Sequence, residues 1–382
     1  MIARRLSLTD FRNYENVELE LERGTSLFLG SNGQGKTNLV EALHFLSTLG
    51  SHRASSDQPL IRHGQASATI RAQLVNGDRT VLVEVELNRE GSNRAQINRS
   101  PIKIRDLPRS FASVLFAPED LALVRGEPAG RRSFLDHLLG LRNPRMLAVL
   151  ADYDRVLKQR NSLLKTARVS RSTVGALGTL DIWDARLIEF GAQIISARAV
   201  LIQELLPFVE QAYGTVAGPA HGVNLALALS IHATKGPGDA GLDSDATGPV
   251  NESFAAAIRT SRRAELERGL TLVGPHRDDL LITLNQLPAR GYASHGESWS
   301  LALALKLASA ELLRVNSPLG DPVLILDDVF AELDSSRRGR LSTAIAGFEQ
   351  VLITAAVLAD VPEDLRERVV RISQGRIVAQ DE

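Results

Sequence analysis

Eight consecutive residues carry the clearest chemistry in this chain. Gly30, Ser31, Asn32, Gly33, Gln34, Gly35, Lys36 and Thr37 fit the pattern G-x-x-x-x-G-K-[ST]. Glycines there let successive backbone N–H groups curl around a phosphate without Cβ clashes. A helix starting just beyond adds its dipole and its unpaired N–H donors. Lys36 then reaches the β- and γ-phosphates, and the Thr37 hydroxyl ligates Mg2+. Far along the chain, Val323-Leu324-Ile325-Leu326 runs into Asp327 and Asp328. Asp327 is placed to hold Mg2+, directly or through water, and Asp328 to orient or deprotonate an attacking water. Lys36 and Asp328 are therefore the candidate catalytic residues, with ATP and Mg2+ as cofactors. A third feature, Ser294-His295-Gly296-Glu297, is a Ser-x-Gly turn at a helix start, a second anion site. The phosphate loop already covers one face of the γ-phosphate. Ser294 and Gly296 thus imply an ATP-dependent homodimer in which each subunit offers this turn to the other's nucleotide.

These residues need particular elements behind them. Val17, Leu19 and Leu21 alternate with Glu18, Glu20 and Glu22, the period of a strand. Ser26–Leu29 then runs into Gly30, and Leu39, Leu43 and Leu46 in 37–48 have helical spacing. Strand, glycine loop and helix follow in order. The run 323–326 reads as a buried parallel strand, whose carboxyl end is where ligands sit in open α/β sheets. Further strands are expected at 79–87, 113–117, 222–232, 350–354 and 368–373, and a hairpin arm at 94–104. Helices are expected at 130–140, 144–165, 252–268, 297–315 and 335–346. A longer one, 179–213, is amphipathic through Ile182, Leu187, Ile188, Ile194, Ile195, Leu201, Ile202 and Leu205. Residues 233–251 are Gly/Pro/Asp-rich and read as a flexible surface loop. The order predicts an α/β ATPase head in two halves, 1–120 and 269–382, split by a mostly helical lobe at 121–268.

Composition narrows the classes. The 382 residues allow two or three lobes. With no cysteine, disulfide frameworks, thiol catalysis and Cys-ligated zinc are excluded, which fits a cytoplasmic location. No apolar signal core opens the chain, and no run of 18 uninterrupted apolar residues predicts a membrane span. The net charge of −1 excludes a polycation but leaves local basic stripes open. Six of the 44 basic residues are lysine, a bias that reads as a genome effect. Lys36 and Asp327 lie 291 residues apart, and no N-K-x-D occurs, which excludes a small GTPase.

The chain resembles an ATP-binding-cassette (ABC) ATPase of the SMC-like branch and, within it, the RecF recombinational-repair family. The resemblance rests on the opening Leu6–Tyr14, on the phosphate loop continuing into TNLVEALHFLS, and on Phe116–Leu121 followed by Arg131–Asp136. It extends through Gly274-Pro275-His276-Arg277-Asp278-Asp279, the Ser294 turn and the Asp327/Asp328 strand. It implies an ATP-driven dimer on DNA, at single-strand gaps and their duplex junctions. It also implies cooperation with RecO and RecR, help in loading RecA, a part in replication restart and the SOS response, and weak DNA-dependent ATPase activity. Asp334 maps to the loop that crosses the dimer interface. Three motifs depart from the pattern. The signature turn reads S-H-G-E-S-W, Asp328 stands where cassette ATPases commonly carry Glu, and Thr354 stands where many carry a switch histidine. Pro118-Glu119 occupies the expected glutamine loop. A transporter ATPase subunit would need L-S-G-G-Q and the switch histidine, and a structural SMC protein a long coiled coil; neither is in this sequence.

Two basic stripes are candidate DNA contacts. Residues 89–109 are net +4 and include Arg94, Arg99, Lys103 and Arg105; residues 142–171 are net +6 and include Arg155, Lys158 and Lys165. Either stripe is equally readable as a solvated face. Only 4% of residues are aromatic, which favours backbone contact over base stacking. His276 and Arg277 read as contacts to DNA or nucleotide, or as a capped turn. Trp183 and Trp299 read as buried anchors.

Overall fold

The computed structural model describes residues 1–170, 174–218, 222–232, 249–316 and 320–378. The chain divides into two compact units. Unit 1 comprises Met1–Leu121, Phe208–His221 and Ser294–Glu382; unit 2 comprises Ala122–Pro207 and Gly222–Ala293.

Among the described residues, unit 1 holds two six-stranded sheets. The first runs β2 (Tyr14–Glu20), β1 (Ile2–Phe11), β4 (Ser67–Asn76), β5 (Arg79–Asn88), β6 (Arg94–Ile97) and β7 (Ser100–Ile102), all antiparallel. Alternate residues such as Leu6, Leu8, Ile70, Ala72, Val83 and Val85 face the core, as a period of two requires. The second sheet is ordered β15 (Arg376–Val378), β14 (Val369–Ser373), β3 (Gly24–Leu29), β13 (Gln350–Ala355), β12 (Val323–Asp327) and β8 (Ser113–Phe116). It is parallel except for β15 at one edge. All five residues of β12 are buried, as the apolar run predicts. Helix α1 (Lys36–Thr48) contacts both sheets. It is buried around much of its circumference, and Leu39, Val40, Leu43, Phe45 and Leu46 are each at most 1% exposed. Each such side chain contributes about 1.5–3 kcal/mol by leaving water.

Unit 2 contains helices α2 (Ala122–Arg125), α3 (Pro128–Arg142), α4 (Pro144–Ser170), the first part of α5 (Val174–Ala217), α6 (Val250–Arg268), the single turn α7 (Ala289–Tyr292), and the antiparallel sheet β11 (Leu287–Pro288), β10 (Asp279–Leu284), β9 (Val223–Ala228). This unit runs past the expected boundary at 268. Strand β10 pairs along its length with β9, which draws 269–293 into the insertion. The loop expected at 233–251 lies, from 233 to 248, outside the described residues; Val250 already begins α6. The segment Thr179–Ala217 is long and apolar enough by composition to cross a bilayer, with a mean hydropathy of 1.3. Its Leu187, Ile194, Ile195, Leu201, Ile202 and Leu205 are buried inside the protein, whereas Ile182, expected on that face, is 66% exposed. Trp183 is half-buried; Trp299 is buried edge-on to Phe116, with ring centroids 4.6 Å apart.

Unit 2 is tied by buried ion pairs. Arg160, counted in the basic stripe by sequence, is fully buried. It donates to Asp184 (2.6 Å), Glu265 (2.6 Å) and Thr271 (2.8 Å). Arg131 grips Asp279 through two hydrogen bonds, and Arg198 grips Asp136 in the same way. His276 and Arg277 belong to this interior. His276 Nδ1 lies 2.7 Å from the Tyr153 hydroxyl, and His276 Nε2 and the Arg277 guanidinium both reach the Thr271 carbonyl.

Burial, reinforced by Arg277, Arg132 and Arg160, lowers His276 from 6.5 to about 4 against its bond to Thr271. The unfolded chain therefore binds this proton more readily than the folded one. The contribution of neutral His276 to stability is complete above pH 6.5 and is lost as pH falls toward 4, by up to ~3 kcal/mol. Burial raises Asp136 and Asp278, which act in the opposite sense. The expected result is a shallower loss of melting temperature between pH 6.5 and 4 in His276→Asn than in the parent. Parallel curves would remove His276 from the linkage.

Candidate nucleotide site

The site is assembled at the carboxyl ends of three adjacent parallel strands. Strand β3 delivers the phosphate loop, β12 delivers Asp327 and Asp328, and β13 lies between them. Register aligns Asp327 with Thr354, and Thr354 with Phe28. Three side chains consequently meet at one oxygen. Thr37 Oγ1 donates to Asp327 Oδ1 at 3.0 Å, and Thr354 Oγ1 donates to the same atom at 2.5 Å. Thr354 Oγ1 also accepts the Asp328 N–H at 3.0 Å. Thr354 thus bonds through one hydroxyl to the Asp327 carboxylate and to the main-chain N–H of Asp328. Asp328 sits at φ 55°, the left-handed region that Asp and Asn tolerate better than most side chains.

The loop itself is held from outside. Lys36 Nζ donates to the carbonyls of Gly30 (2.7 Å) and Ser31 (3.2 Å). Gln34 is strapped by the Gln374 N–H to its side chain (2.6 Å), by the Gly375 N–H to its carbonyl (2.9 Å) and by Asn13 Nδ2 (3.1 Å). Tyr14 donates to the Gly35 carbonyl at 3.1 Å. A Cβ on Gly35 would meet Asn13 and Tyr14 at 2.8 Å, and one on Gly30 would lie 2.3 Å from the Ile372 carbonyl. Both positions exclude a side chain. Asn32, Gly33, Gly35, Lys36, Thr37, Asn38, Arg53 and Asp328 line a cleft of ≈ 290 Å³. Burial lowers Lys36 while Asp328 and Asp327 pull it back up. Burial raises Asp327 against its hydrogen bonds from Thr354 and Thr37.

Sequence reasoning missed a cluster beside this cleft. Glu41, inside α1 and 1% exposed, accepts two hydrogen bonds from Arg12 (2.9 and 2.7 Å), one from Arg53 (2.6 Å) and one from Ser51 (2.5 Å). Burial pushes Glu41 up, but Arg12, Arg53 and Ser51 overcome it and hold it at about 2. Arg53 also donates to Asn38 at 2.5 Å. A second cleft of ≈ 590 Å³ adjoins, lined by Arg12, Asn13, Asn38, Arg53, Gln58, Pro59, Ile61, His63 and Arg89.

The remaining candidates lie elsewhere. Ser294 caps α8 (His295–Asn316) in a reciprocal box with Glu297, at 2.7 and 3.3 Å, and Gly296 faces Arg337. Neither lines the cleft of its own chain. Asp334 caps α9 (Ser335–Ile345) by accepting from the Arg337 N–H. Arg94, Arg99, Lys103 and Arg105 lie on and after the β6–β7 hairpin in unit 1; Arg155, Lys158 and Lys165 are exposed on α4 in unit 2. Arg155 pairs with Asp152 and Lys158 with Asp154, which softens that stripe. Pro118-Glu119 forms a tight turn in which Asp120 caps the Ala117 N–H and pairs with Lys306.

A phosphate loop and a paired-acid strand on one parallel sheet, flanked by an antiparallel sheet, define an α/β head of the ABC type. Residues 2–376 match the family described as RecF/RecN/SMC N terminal domain. The chain is 61% identical to the DNA replication and repair protein RecF of Clavibacter michiganensis, over 99% of this chain and 96% of that one. It superposes with a TM-score of 0.87 on a structure described as the recombination mediator protein RecF-ATP in the RecFOR pathway (28% identity, 98% and 96% coverage). A Pyrococcus furiosus Smc head shares the fold, with a TM-score of 0.54 at 16% identity over 98% of this chain and 95% of that one. The chain belongs to the RecF family of DNA replication and repair proteins.

Proposed function

We propose that this chain is an ATP-gated DNA clamp. ATP closes a homodimer on DNA at single-strand gaps and duplex junctions, and slow hydrolysis times its release. The observation that carries the reading is the meeting of Lys36, Thr37, Asp327 and Asp328 at neighbouring strand ends, with a cleft between them. The triphosphate occupies this cleft, contacted by the backbone of 30–37, Lys36 and Arg53, and the nucleoside takes the adjoining one. The Thr37 hydroxyl and the Asp327 carboxylate, 3.0 Å apart, are a hard-oxygen pair that suits Mg2+. When bound, Mg2+ neutralises charge on the phosphates. Asp328 orients the attacking water, and Ser294 and Gly296 face the partner's nucleotide across the dimer. The Asp for Glu exchange at 328 and the altered signature turn suit a slow timer. The clamp works in the cytoplasm with RecO and RecR toward loading RecA, and serves replication restart and the SOS response.

Gel-shift binding to gapped, single-stranded and blunt duplex DNA, with and without ATP, tests the reading. ATP should tighten binding to gapped DNA most; equal binding without ATP would overturn it. Reversing Arg155, Lys158 and Lys165 to Glu should weaken binding and flatten its dependence on salt, because fewer counterions are released. An unchanged salt slope removes that stripe from the DNA face.

A further inference from the structure

Glu41 is in the wrong place for an ordinary helix residue. It sits one turn past the phosphate loop, yet it is ionised, buried and surrounded by donors. A buried carboxylate persists only when paired. Here it has two guanidinium partners, so the Arg12–Glu41–Arg53 group carries one surplus positive charge. Both arginines line clefts at the site, but only Arg53 lines both. Arg53 meets Glu41 and Asn38 through Nη2 alone, so Nε and Nη1 stay available among the described residues. The loop carrying Arg53 is pinned to the same group. Ser51 Oγ donates to Glu41 and accepts the N–H groups of Arg53 (3.0 Å) and Ala54 (2.9 Å).

We infer that Glu41 is a positioning residue for the nucleotide: through Arg53 and Ser51 it holds a guanidinium against the triphosphate and ties it to Arg12 at the neighbouring cleft. This rests on the assignment of ATP to the phosphate loop. The carboxylate fixes one edge of Arg53 and leaves the other for phosphate oxygens, so the cleft is charged before the nucleotide arrives. Its single charge is shared with Arg12, so it cannot neutralise Arg53.

The test is a pair of double-mutant cycles read by ATP affinity in the full-length protein, with thermal melting as a folding control. Glu41→Gln keeps the shape and removes the charge; it should weaken ATP binding by about tenfold, one decade in Kd. Ser51→Ala frees the loop without burying a new group and should cost about threefold. In an Arg53→Ala background both losses should vanish, because the residue through which they act is gone. Losses that add in full to that of Arg53→Ala would overturn the inference, whichever cycle yields folded protein. Lys36→Ala in parallel separates the two levels. If the parent binds ATP and Lys36→Ala does not, the site assignment stands and the cycles judge Glu41 alone. If Lys36→Ala binds as the parent does, the site assignment falls and the inference with it.

Discussion

Lys36→Met should abolish ATP-dependent association with DNA. Lys36 is 5% exposed, and its ammonium spans the Gly30 and Ser31 carbonyls within a cleft that also holds Asp328. Met matches the stem in length and is itself an adaptable apolar side chain, so the loop keeps its packing. The charge does not survive. Two acids and a triphosphate then share a pocket with one cation fewer, and a charge-assisted contact to phosphate is lost. ATP affinity should fall about a hundredfold or more, on the order of 3 kcal/mol. In gel shifts the ATP-stimulated component should disappear while the ATP-independent background stays. Stimulation that persists in this variant would sink the clamp.

Asp328→Asn should trap an ATP-bound dimer. The substitution retains the shape and suits the backbone, since Asn tolerates the left-handed conformation at φ 55° at least as well as Asp. The N–H bond to Thr354 is made by the main chain and remains. Only the capacity to orient or accept a proton from water is lost, which typically costs 10²–10⁴-fold in rate, roughly. Hydrolysis should stall with nucleotide still bound, and sedimentation with ATP should show dimer. A monomer alone under those conditions would refute the ATP sandwich.

The phosphate loop was legible because everything that shapes it, from Ser26 to Leu46, is local. The buried strand before Asp327 was legible because a run of apolar residues ending in acids has few other uses. What escaped was what sequence-distant partners decide. Glu41 lies in a helix pattern that says nothing of Arg12 and Arg53, which arrive from a hairpin and a loop. Arg160 counted as a solvated charge until Asp184 and Glu265 closed over it from two other helices. Strand β4 went unread although Ala68, Ile70, Ala72 and Leu74 alternate cleanly. The first antiparallel sheet, which needs β4 at its centre, was therefore invisible. The bond from Thr354 to Asp327 escaped because strand register, which sets the two side by side, is not written in any single segment.

The strap on Gln34 has a consequence in time. The phosphate loop leaves the ribosome early, but Asp327, Thr354 and the Gln374–Gly375 turn that grip it come hundreds of residues later. At 5–20 residues per second that gap is roughly tens of seconds. A nascent chain in that interval has the motif without the grip, its glycines free to sample the conformations that the finished loop forbids. The grip on the phosphate loop is complete only once the Gln374–Gly375 turn has been made.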